Sequence, residues 1–326
     1  MRALVCEEFG PPEGLKWVEV DRPEPQPDEA LVRVTATGIG YVDGLMVQGK
    51  YQVKPPLPYY PGSEFAGCIE ALGSEAEGIA GLQVRQRVIG MGNGACSDYV
   101  KVCASNLIAL PDSVDDATGA GMFINYATAL YGLRDCGALQ ADESILILGA
   151  AGGVGSAAIA TAKAMGAHVI AAASNEKKRD ATLAYGADEV VDYSQPDWRD
   201  DLKALTAQRG LNLVYDPVGG DVSEPAFRSL SPGGRFLVVG FAAGSIPAIP
   251  LNLALLKRSS IVGVDWGGEA RADPSINGKL MRDLMGWIRS GKLTPATVTT
   301  RSIEKVHEAL DDQLAGRIVG KLVLTR

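Results

Sequence analysis

The stretch Ser144-Ile-Leu-Ile-Leu-Gly-Ala-Ala-Gly-Gly-Val-Gly-Ser156 decides the fold of this 326-residue chain. Its apolar start, Ile145 to Leu148, predicts a strand buried on both faces. The small residues Gly149-Ala150-Ala151-Gly152-Gly153 predict a tight turn. From Val154 an alanine-rich run predicts a helix that stops at Gly166. A strand that turns on glycine into a helix gathers unpaired backbone N–H groups and a positive dipole end at one point, which suits a pyrophosphate. The spacing is that of G-x-G-x-x-G, with Ala150 in the first glycine position and Gly152 and Gly155 in the other two. Alone, such spacing also fits a helix packed tightly on a sheet. A strand before, a helix after and a βαβ unit beyond select the dinucleotide reading, and the sequence supplies all three.

Outward from this stretch, apolar runs recur at Ile145, Val169, Val190, Leu213, Phe236 and Ile261, at separations of 21 to 25 residues. Helical patterns lie between them, at 176–185, 198–208 and 221–230. This is the rhythm of successive βα units, and it predicts a doubly wound sheet of six parallel strands. Residues 119–136 read as one alanine-rich helix leading into it. The texture before residue 118 is different. Short alternating runs at 3–6, 15–20, 30–36, 63–72, 86–90 and 99–102, punctuated by Gly and Pro, predict a β-rich, barrel-like domain. Residues 38–62 read as irregular. Past Trp266 the βα rhythm ends, with helices expected at 275–289 and 303–314 and a closing strand at 317–324. The expected domains are residues 1–118 and 268–326, which form one discontinuous domain, and residues 119–267, which form the nucleotide-binding domain.

Composition narrows the function. The 46% hydrophobic and 21% charged content is that of a soluble globular protein long enough for two domains. A net charge of −8 argues against nucleic-acid and anionic-membrane partners. The cysteines Cys6, Cys68, Cys96, Cys103 and Cys136 are scattered and odd in number, which predicts a reducing, cytoplasmic setting. The first residues, Met-Arg-Ala-Leu-Val-Cys-Glu-Glu, carry acids where a signal peptide needs an apolar run. Two uncharged stretches, 145–162 and 236–256, have the length of a membrane span. The first breaks into strand, turn and helix and the second contains Pro247 and Pro250, so both read as soluble core.

Several chemistries can be tested by counting residues. An acid at the end of the second strand of a dinucleotide fold holds the ribose 2′-hydroxyl of NAD. Here the strand is read as His168–Ala173, and Ser174 follows it, then Asn175, Glu176, Lys177, Lys178 and Arg179. With no acid at the strand end and three cations in the next helix, the sequence favours a 2′-phosphate, hence NADPH. A solvated helix face would look similar, and Glu176 weighs towards it. Only two histidines are present, His168 and His307, and no Cys/His cluster has zinc spacing. No metal site is expected. Gly-x-Ser-x-Gly is absent, and neither histidine is placed for a nucleophile–base pair. What remains is a group of tyrosines, Tyr41, Tyr51, Tyr59 and Tyr60. They are either core residues or the wall of an apolar cleft with polar tips, suited to a flat conjugated substrate.

The segments Gly38-Ile-Gly-Tyr-Val-Asp43, Gln48-Gly-Lys-Tyr51, Pro55-Pro-Leu-Pro58, Pro61-Gly-Ser-Glu64, Ala150-Ala-Gly-Gly-Val-Gly155, Asp216-Pro-Val-Gly-Gly220 and Gly320-Lys-Leu-Val-Leu324 occur in that order. In combination they resemble the zinc-free medium-chain dehydrogenases/reductases, in the branch of NADPH:quinone oxidoreductases related to zeta-crystallin. The resemblance spans nearly the whole chain. It implies an α/β protein in which a GroES-like, β-rich catalytic domain is interrupted by a Rossmann domain. Zinc-bearing relatives carry a cysteine at the position of Gly40 and a histidine at that of Ser63, so the resemblance also implies no metal. Gly152, Gly153, Val154 and Gly155 would line the pyrophosphate, and Ser174, Lys178 and Tyr193 would hold the 2′-phosphate. Asn125 and Thr128 would approach the nicotinamide side, and Phe241, Val264 and Trp266 would flank the nicotinamide ring. Tyr41 departs from the family, which usually has asparagine there.

The implied reaction is hydride transfer from NADPH to a quinone. The alternative is reduction of an activated C=C bond in an enone, acrylate or enoyl substrate. That needs a proton donor to the α-carbon, for which Tyr41 and Tyr51 are the candidates. Asp43 and Tyr59 are the candidate substrate-contact residues beside them. A reading of another class is a non-enzymatic NADPH-binding module. Residues 260–264 are expected to be the last strand of the sheet, at an open edge that must be covered. Zinc-free relatives commonly cover it by pairing two subunits, so a homodimer is expected.

Overall fold

The computed structural model describes residues 1–76 and 81–326. By its backbone contacts the chain separates into two compact units. One comprises Met1–Ile124, Ser275–Arg289 and Thr297–Arg326, and the other Asn125–Pro274 and Ser290–Ala296.

The first unit opens with an antiparallel pair, β1 (Arg2–Val5) and β2 (Lys16–Glu19). Then come β3 (Glu29–Ile39), β4 (Glu64–Leu72), β5 (Arg87–Met91), β6 (Tyr99–Cys103) and β7 (Leu107–Ala109). In the second unit β8 (Ser144–Ile147), β9 (His168–Ala172), β10 (Glu189–Val191), β11 (Leu211–Asp216), β12 (Leu230–Val238) and β13 (Ser260–Gly263) all run parallel. The chain then returns to the first unit with β14 (Val298–Ser302) and β15 (Lys321–Thr325).

The parallel sheet has the order β10-β9-β8-β11-β12-β13, the strand order of a dinucleotide-binding Rossmann domain. Its inner strands are covered on both faces, so Ile145, Leu146 and Ile147 are all fully buried. One layer of the core joins Leu146, Ile170 and Val214 to Phe227 and Phe236, whose rings lie 5.7 Å apart and tilted by 55°. In the first unit the sheet runs β14-β15-β3-β4-β5-β7, with β6 also paired to β3. β15 lies antiparallel to β3, so the end of the chain completes the sheet that its beginning started.

Four local expectations change. Residues 38–62 are not irregular throughout, because Tyr41–Val47 is a helix. It carries a glycine in its interior, Gly44, where a Cβ would meet the Leu314 side chain at 2.8 Å, so the close approach of a second helix requires the residue that weakens the sequence signal. The helix expected at 119–136 is three pieces: Asp116–Ala120, Phe123–Leu130 and a π-helical turn at Tyr131–Cys136. The short strands β7 and β14 were not expected; β14 reads Val-Thr-Thr-Arg-Ser, with no apolar alternation, because it is a half-exposed edge. Finally, the stretch 236–256 is not all core. Ile246, Leu251 and Leu255 are each 77% exposed and Leu256 74%, while only Leu253 of the helix Leu251–Lys257 is buried. This apolar helix packs beside β12, next to the edge strand β13, whose Ile261 is also exposed. Among the described residues, no helix is long and apolar enough to cross a membrane.

Candidate active site

In the second unit the segments named for the cofactor after β8, β9, β10, β12 and β13 follow the carboxyl ends of parallel strands, which is where ligands bind in open α/β sheets; Asn125 and Thr128 lie on the helix that precedes β8. After β8 the chain turns at Gly149–Gly152 into the helix Gly153–Ala164. The first N–H groups of a helix have no intrahelical acceptor. Here the N-cap is Gly152, no side chain caps it, and the first turn holds no acid. A twelve-residue helix thus presents a bare positive end. Gly155 is what lets the helix start this close to the strand. A Cβ there would stand 2.4 Å from the Gly149 carbonyl oxygen and 2.6 Å from the Ala150 Cα, both rigid backbone. This cradle of small residues fits a pyrophosphate, which needs backbone approach without side chains in the way.

After β9 comes Ser174, half-buried, and after β10 comes Tyr193. The two side chains are hydrogen-bonded, and burial pushes the Tyr193 phenol above its ordinary value. Asn175 caps the next helix, Glu176–Ala184, by accepting from the Lys178 N–H at 3.0 Å, which fixes Lys178 in the first turn. Of the three cations in that turn, Arg179 pairs with Asp192 at 2.6 Å. Asp192 precedes Tyr193, so this ion pair holds Tyr193 where it meets Ser174. Ser174 and Tyr193 are brought together, with Lys178 one turn away along the same helix start.

After β11, buried Asp216 accepts from the N–H groups of Val218 and Gly219 and from the Ser223 hydroxyl, at 2.8, 2.9 and 2.5 Å. It locks the Pro217–Gly220 turn, against which the Phe241 side chain packs while staying 41% exposed. Val264 and Trp266, after β13, are buried at 8% and 7% exposure. Val264 borders Gly132 in the π-helical turn. Asn125, buried, and Thr128, half-buried, share the helix Phe123–Leu130.

The first unit holds a different constellation. Tyr41 opens the helix Tyr41–Val47 and is half-exposed, as is Tyr51 beyond its end. Asp43 and Tyr59 are not exposed beside them. Tyr59 is 3% exposed, packed among Leu4, Cys6 and Val47, and burial raises its phenol far above the ordinary range. Asp43, 4% exposed, accepts from the Gly40 N–H at 2.8 Å and from the Ser63 hydroxyl at 2.7 Å. Its pKa is raised by burial, against the pull of Lys321, Ser63 and the Gly40 amide.

Behind Asp43 lies a buried ion pair. The Lys321 ammonium, on β15, sits 2.5 Å from Oε1 of Glu64 on β4, and both side chains are almost wholly buried, at 7% and 1% exposure. The contact is an ion pair off the direction of a hydrogen bond. The other oxygen, Glu64 Oε2, accepts from the Ile124 N–H at 2.9 Å. Gly38 makes room for it, since a Cβ there would meet Glu64 Cγ at 2.8 Å and the Ala120 carbonyl at 2.3 Å.

The full-length comparison decides the family. A quinone oxidoreductase-like protein 2 from Rattus norvegicus is 34% identical over 99% of this chain and 92% of its own length. The chain belongs to the quinone oxidoreductase family. Within it, residues 26–131 match the alcohol dehydrogenase GroES-like domain and residues 153–278 match the family described as zinc-binding dehydrogenase. The fold is accordingly α/β, a GroES-like domain joined to a Rossmann domain. Among solved structures, a Pseudomonas syringae quinone oxidoreductase is 30% identical with a TM-score of 0.88, over 100% of this chain and 99% of its own. The Escherichia coli quinone oxidoreductase, solved in complex with NADPH, is 26% identical with a TM-score of 0.88, and each chain is covered in full.

Despite the name of the second matching family, this chain belongs to its zinc-free quinone oxidoreductase branch. Gly40 and Ser63 offer no soft ligand where zinc-bearing members have cysteine and histidine. A Cβ at Gly40 would lie 3.5 Å from Asp43 and 3.6 Å from the Lys321 ammonium, so a lysine cation already occupies the space beside that position. Sequence reasoning missed Glu64 and Lys321. Both stand in motifs it quoted, Pro61-Gly-Ser-Glu64 and Gly320-Lys-Leu-Val-Leu324, each as the first residue of a strand, where a charge reads as solvated and no local signal sets it apart.

Two glycine substitutions separate folding from binding at the cradle. Gly155→Ala should overpack backbone on backbone and lower stability by about 1–3 kcal/mol. Gly152→Ala, whose Cβ would find only the Gly149 oxygen at 3.4 Å, should fold normally but bind the dinucleotide more weakly. Thermal melts with and without cofactor check both. A Gly155→Ala protein as stable as the parent would show that the helix does not need this approach.

Proposed function

We propose that this protein is an NADPH-dependent oxidoreductase that reduces quinones without a metal. The observation that carries the reading is the bare, glycine-packed helix end after β8, set beside a Ser174–Lys178–Tyr193 corner with no acid at the end of β9. Bound NADPH supplies a hydride from its nicotinamide ring. The protein supplies alignment and a dry site. Gly152, Gly153, Val154 and Gly155 hold the pyrophosphate; Ser174, Lys178 and Tyr193 hold the 2′-phosphate. Asn125, Thr128, Phe241, Val264 and Trp266 fix the nicotinamide end. With no metal to polarise a simple ketone or alcohol, the acceptors of choice are those already activated by conjugation. A panel of quinones and enones, followed by NADPH oxidation, tests this directly. Cofactor binding without turnover on any member would sink the enzymatic reading.

Cofactor choice has its own test. A charge-assisted contact is worth about 1.5–3 kcal/mol. Lys178→Ala should therefore weaken NADPH binding by roughly ten- to a hundredfold and leave NADH nearly unchanged. Equal losses for both cofactors would refute the 2′-phosphate role.

Tyr41 and Tyr51 are half-exposed phenols at and beyond the helix Tyr41–Val47, and in our reading they hydrogen-bond the substrate. Tyr41 adds an apolar ring to the donor that an asparagine would give. Tyr41→Phe removes only the donor and should lower kcat/KM by about tenfold or more. A kinetically silent variant would assign Tyr41 to packing. Tyr59 and Asp43, being buried, support this wall from behind.

The exposed helix Leu251–Lys257 and the unpaired strand β13 together support a homodimer. A second copy that pairs its own β13 with this one would cover both, extending each six-stranded sheet into one of twelve. Light scattering should give about twice the 34.2 kDa chain mass. Leu255→Glu should shift the protein to monomer. A parent protein that is monomeric at micromolar concentration would overturn the dimer.

A further inference from the structure

Three ionisable side chains are packed together in the first unit, and their charges do not balance. Lys321 is paired with Glu64. Asp43 is the third, 4% exposed, with Lys321 near enough to act on it electrostatically but, among the described residues, with no ion pair of its own. The groups that face it are few: the Lys321 ammonium from β15, the Ser63 hydroxyl ahead of β4, the Gly40 N–H, and two side chains buried as deeply, Tyr59 and Cys96. Tyr59 and Cys96 are both held neutral, since burial pushes each above its ordinary value. The one cation is already matched by Glu64. An ionised Asp43 would leave an uncompensated buried charge, which costs far more than neutralising it. The same burial raises the Asp43 pKa.

The outlet is Ser63. Its hydroxyl is 2.7 Å from Asp43 Oδ1, and unlike Asp43 it is only half-buried. A protonated Asp43 donates to the Ser63 oxygen. That turns the Ser63 hydrogen away from the carboxyl, while the buried Tyr59 phenol, also hydrogen-bonded to Ser63, holds the hydroxyl in place. Asp43 Oδ2 stays fixed by the Gly40 N–H at 2.8 Å, so the donor oxygen is the one facing Ser63.

We propose that Asp43 and Ser63 form a proton-delivery pair, in which the Ser63 hydroxyl hands a proton to the oxygen anion of the reduced quinone and is refilled from the Asp43 carboxyl. The proposal rests on the quinone-reductase reading above. Hydride transfer would oxidise the nicotinamide and carry two electrons and one proton to the quinone, leaving a hydroquinone monoanion. One O–H bond then forms on that anion as the Ser63 O–H breaks. The Ser63 O–H re-forms as the Asp43 O–H breaks. Asp43 ends as a carboxylate and takes a proton from water before the next turnover. Ser63 is the group that touches substrate; Asp43 acts through it. Ser63 stands where zinc-bearing relatives place a histidine, so a hydroxyl backed by a neutral acid takes the place of the Lewis acid as the source of positive character at the substrate oxygen.

The test uses the full-length protein with NADPH and a quinone. Asp43→Asn keeps the shape and the Gly40 contact but has no acidic proton. It should lower kcat by about ten- to a hundredfold, the scale of one positioned general acid, with the NADPH dissociation constant unchanged. Ser63→Ala should do the same and Ser63→Thr should restore activity. In the parent protein kcat should fall as pH rises through the elevated Asp43 value, and this limb should vanish in Asp43→Asn. A carboxylic-acid C=O band in the infrared at pH 7, absent from Asp43→Asn, reports the proton without any turnover. Stability gives a further sign. A carboxyl raised by folding stabilises fully below its unfolded value of about 4 and loses that contribution as pH rises through its native value. The stability of the parent relative to Asp43→Asn should therefore decline with rising pH. An active parent whose two variants keep its kcat and pH profile, or a missing infrared band, overturns the relay alone. A parent inactive with every acceptor overturns the proposed function, and the relay with it.

Discussion

The constraint on which the first unit depends is the pairing of Glu64 with Lys321. Each charge is buried, and a buried charge without its partner costs about 3–5 kcal/mol when the partner is removed. The pair therefore forces β4 and β15, which come from opposite ends of the chain, into one sheet beside β3. It also fixes what surrounds it. Gly38 on β3 must lack a side chain to admit the Glu64 stem, and the second Glu64 oxygen takes the Ile124 N–H at the start of the helix Phe123–Leu130. Lys321 in turn sits beside Gly40 and acts on Asp43, which caps the helix that begins with Tyr41. The placement of Tyr41 thus follows from a nearly buried ion pair.

The Rossmann half was legible because its physics is repetitive. Parallel strands covered on both faces must be continuous apolar runs, and six such runs at even spacing leave little else to build. The glycine turn was legible for a related reason. Backbone atoms do its work, so the residues needed there are those that keep side chains away, and Gly155 is required by a contact that the motif spacing already encodes. The helix Tyr41–Val47 was not legible. It has seven residues, a glycine in its interior and a glycine as its N-cap, each of which reads as loop when taken locally. Only the Leu314 side chain packed on Gly44 explains them, and that contact is far away in sequence. Likewise 119–136 reads as one helix by composition, and the claim of Glu64 on the Ile124 amide accompanies its division.

The site residues divide along the same line. Ser174 and Lys178 could be picked out because an absent acid and a run of cations are visible in one dimension. Lys321 could not. In Gly-Lys-Leu-Val-Leu it looks like the solvated first residue of a strand, and only its burial against a carboxylate reveals it as a structural charge. Asp43 and Tyr59 lie in segments that resemble the family's substrate wall, yet both are interior. Polarity in a loop suggests exposure, but here the polar groups are satisfied by each other and by backbone, as buried polar groups must be.

An acidic protein proposed to bind an anionic dinucleotide poses no contradiction once distances are considered. Charges more than about 10 Å apart in 0.1 M salt are largely screened, so the total of −8 sets solubility while the local groups set affinity. At the helix Glu176–Ala184 those local groups are sorted by their partners. Arg179 is spent on Asp192 and acts as a brace for Tyr193. Asn175 secures the helix start through the Lys178 amide, leaving the helix dipole pointed at the space after β9. Lys178 adds its charge at that same end. In the proposed function, preference for a 2′-phosphate over a 2′-hydroxyl rests on one lysine, one helix end and two hydroxyls, with the missing acid after Ala173 as its precondition.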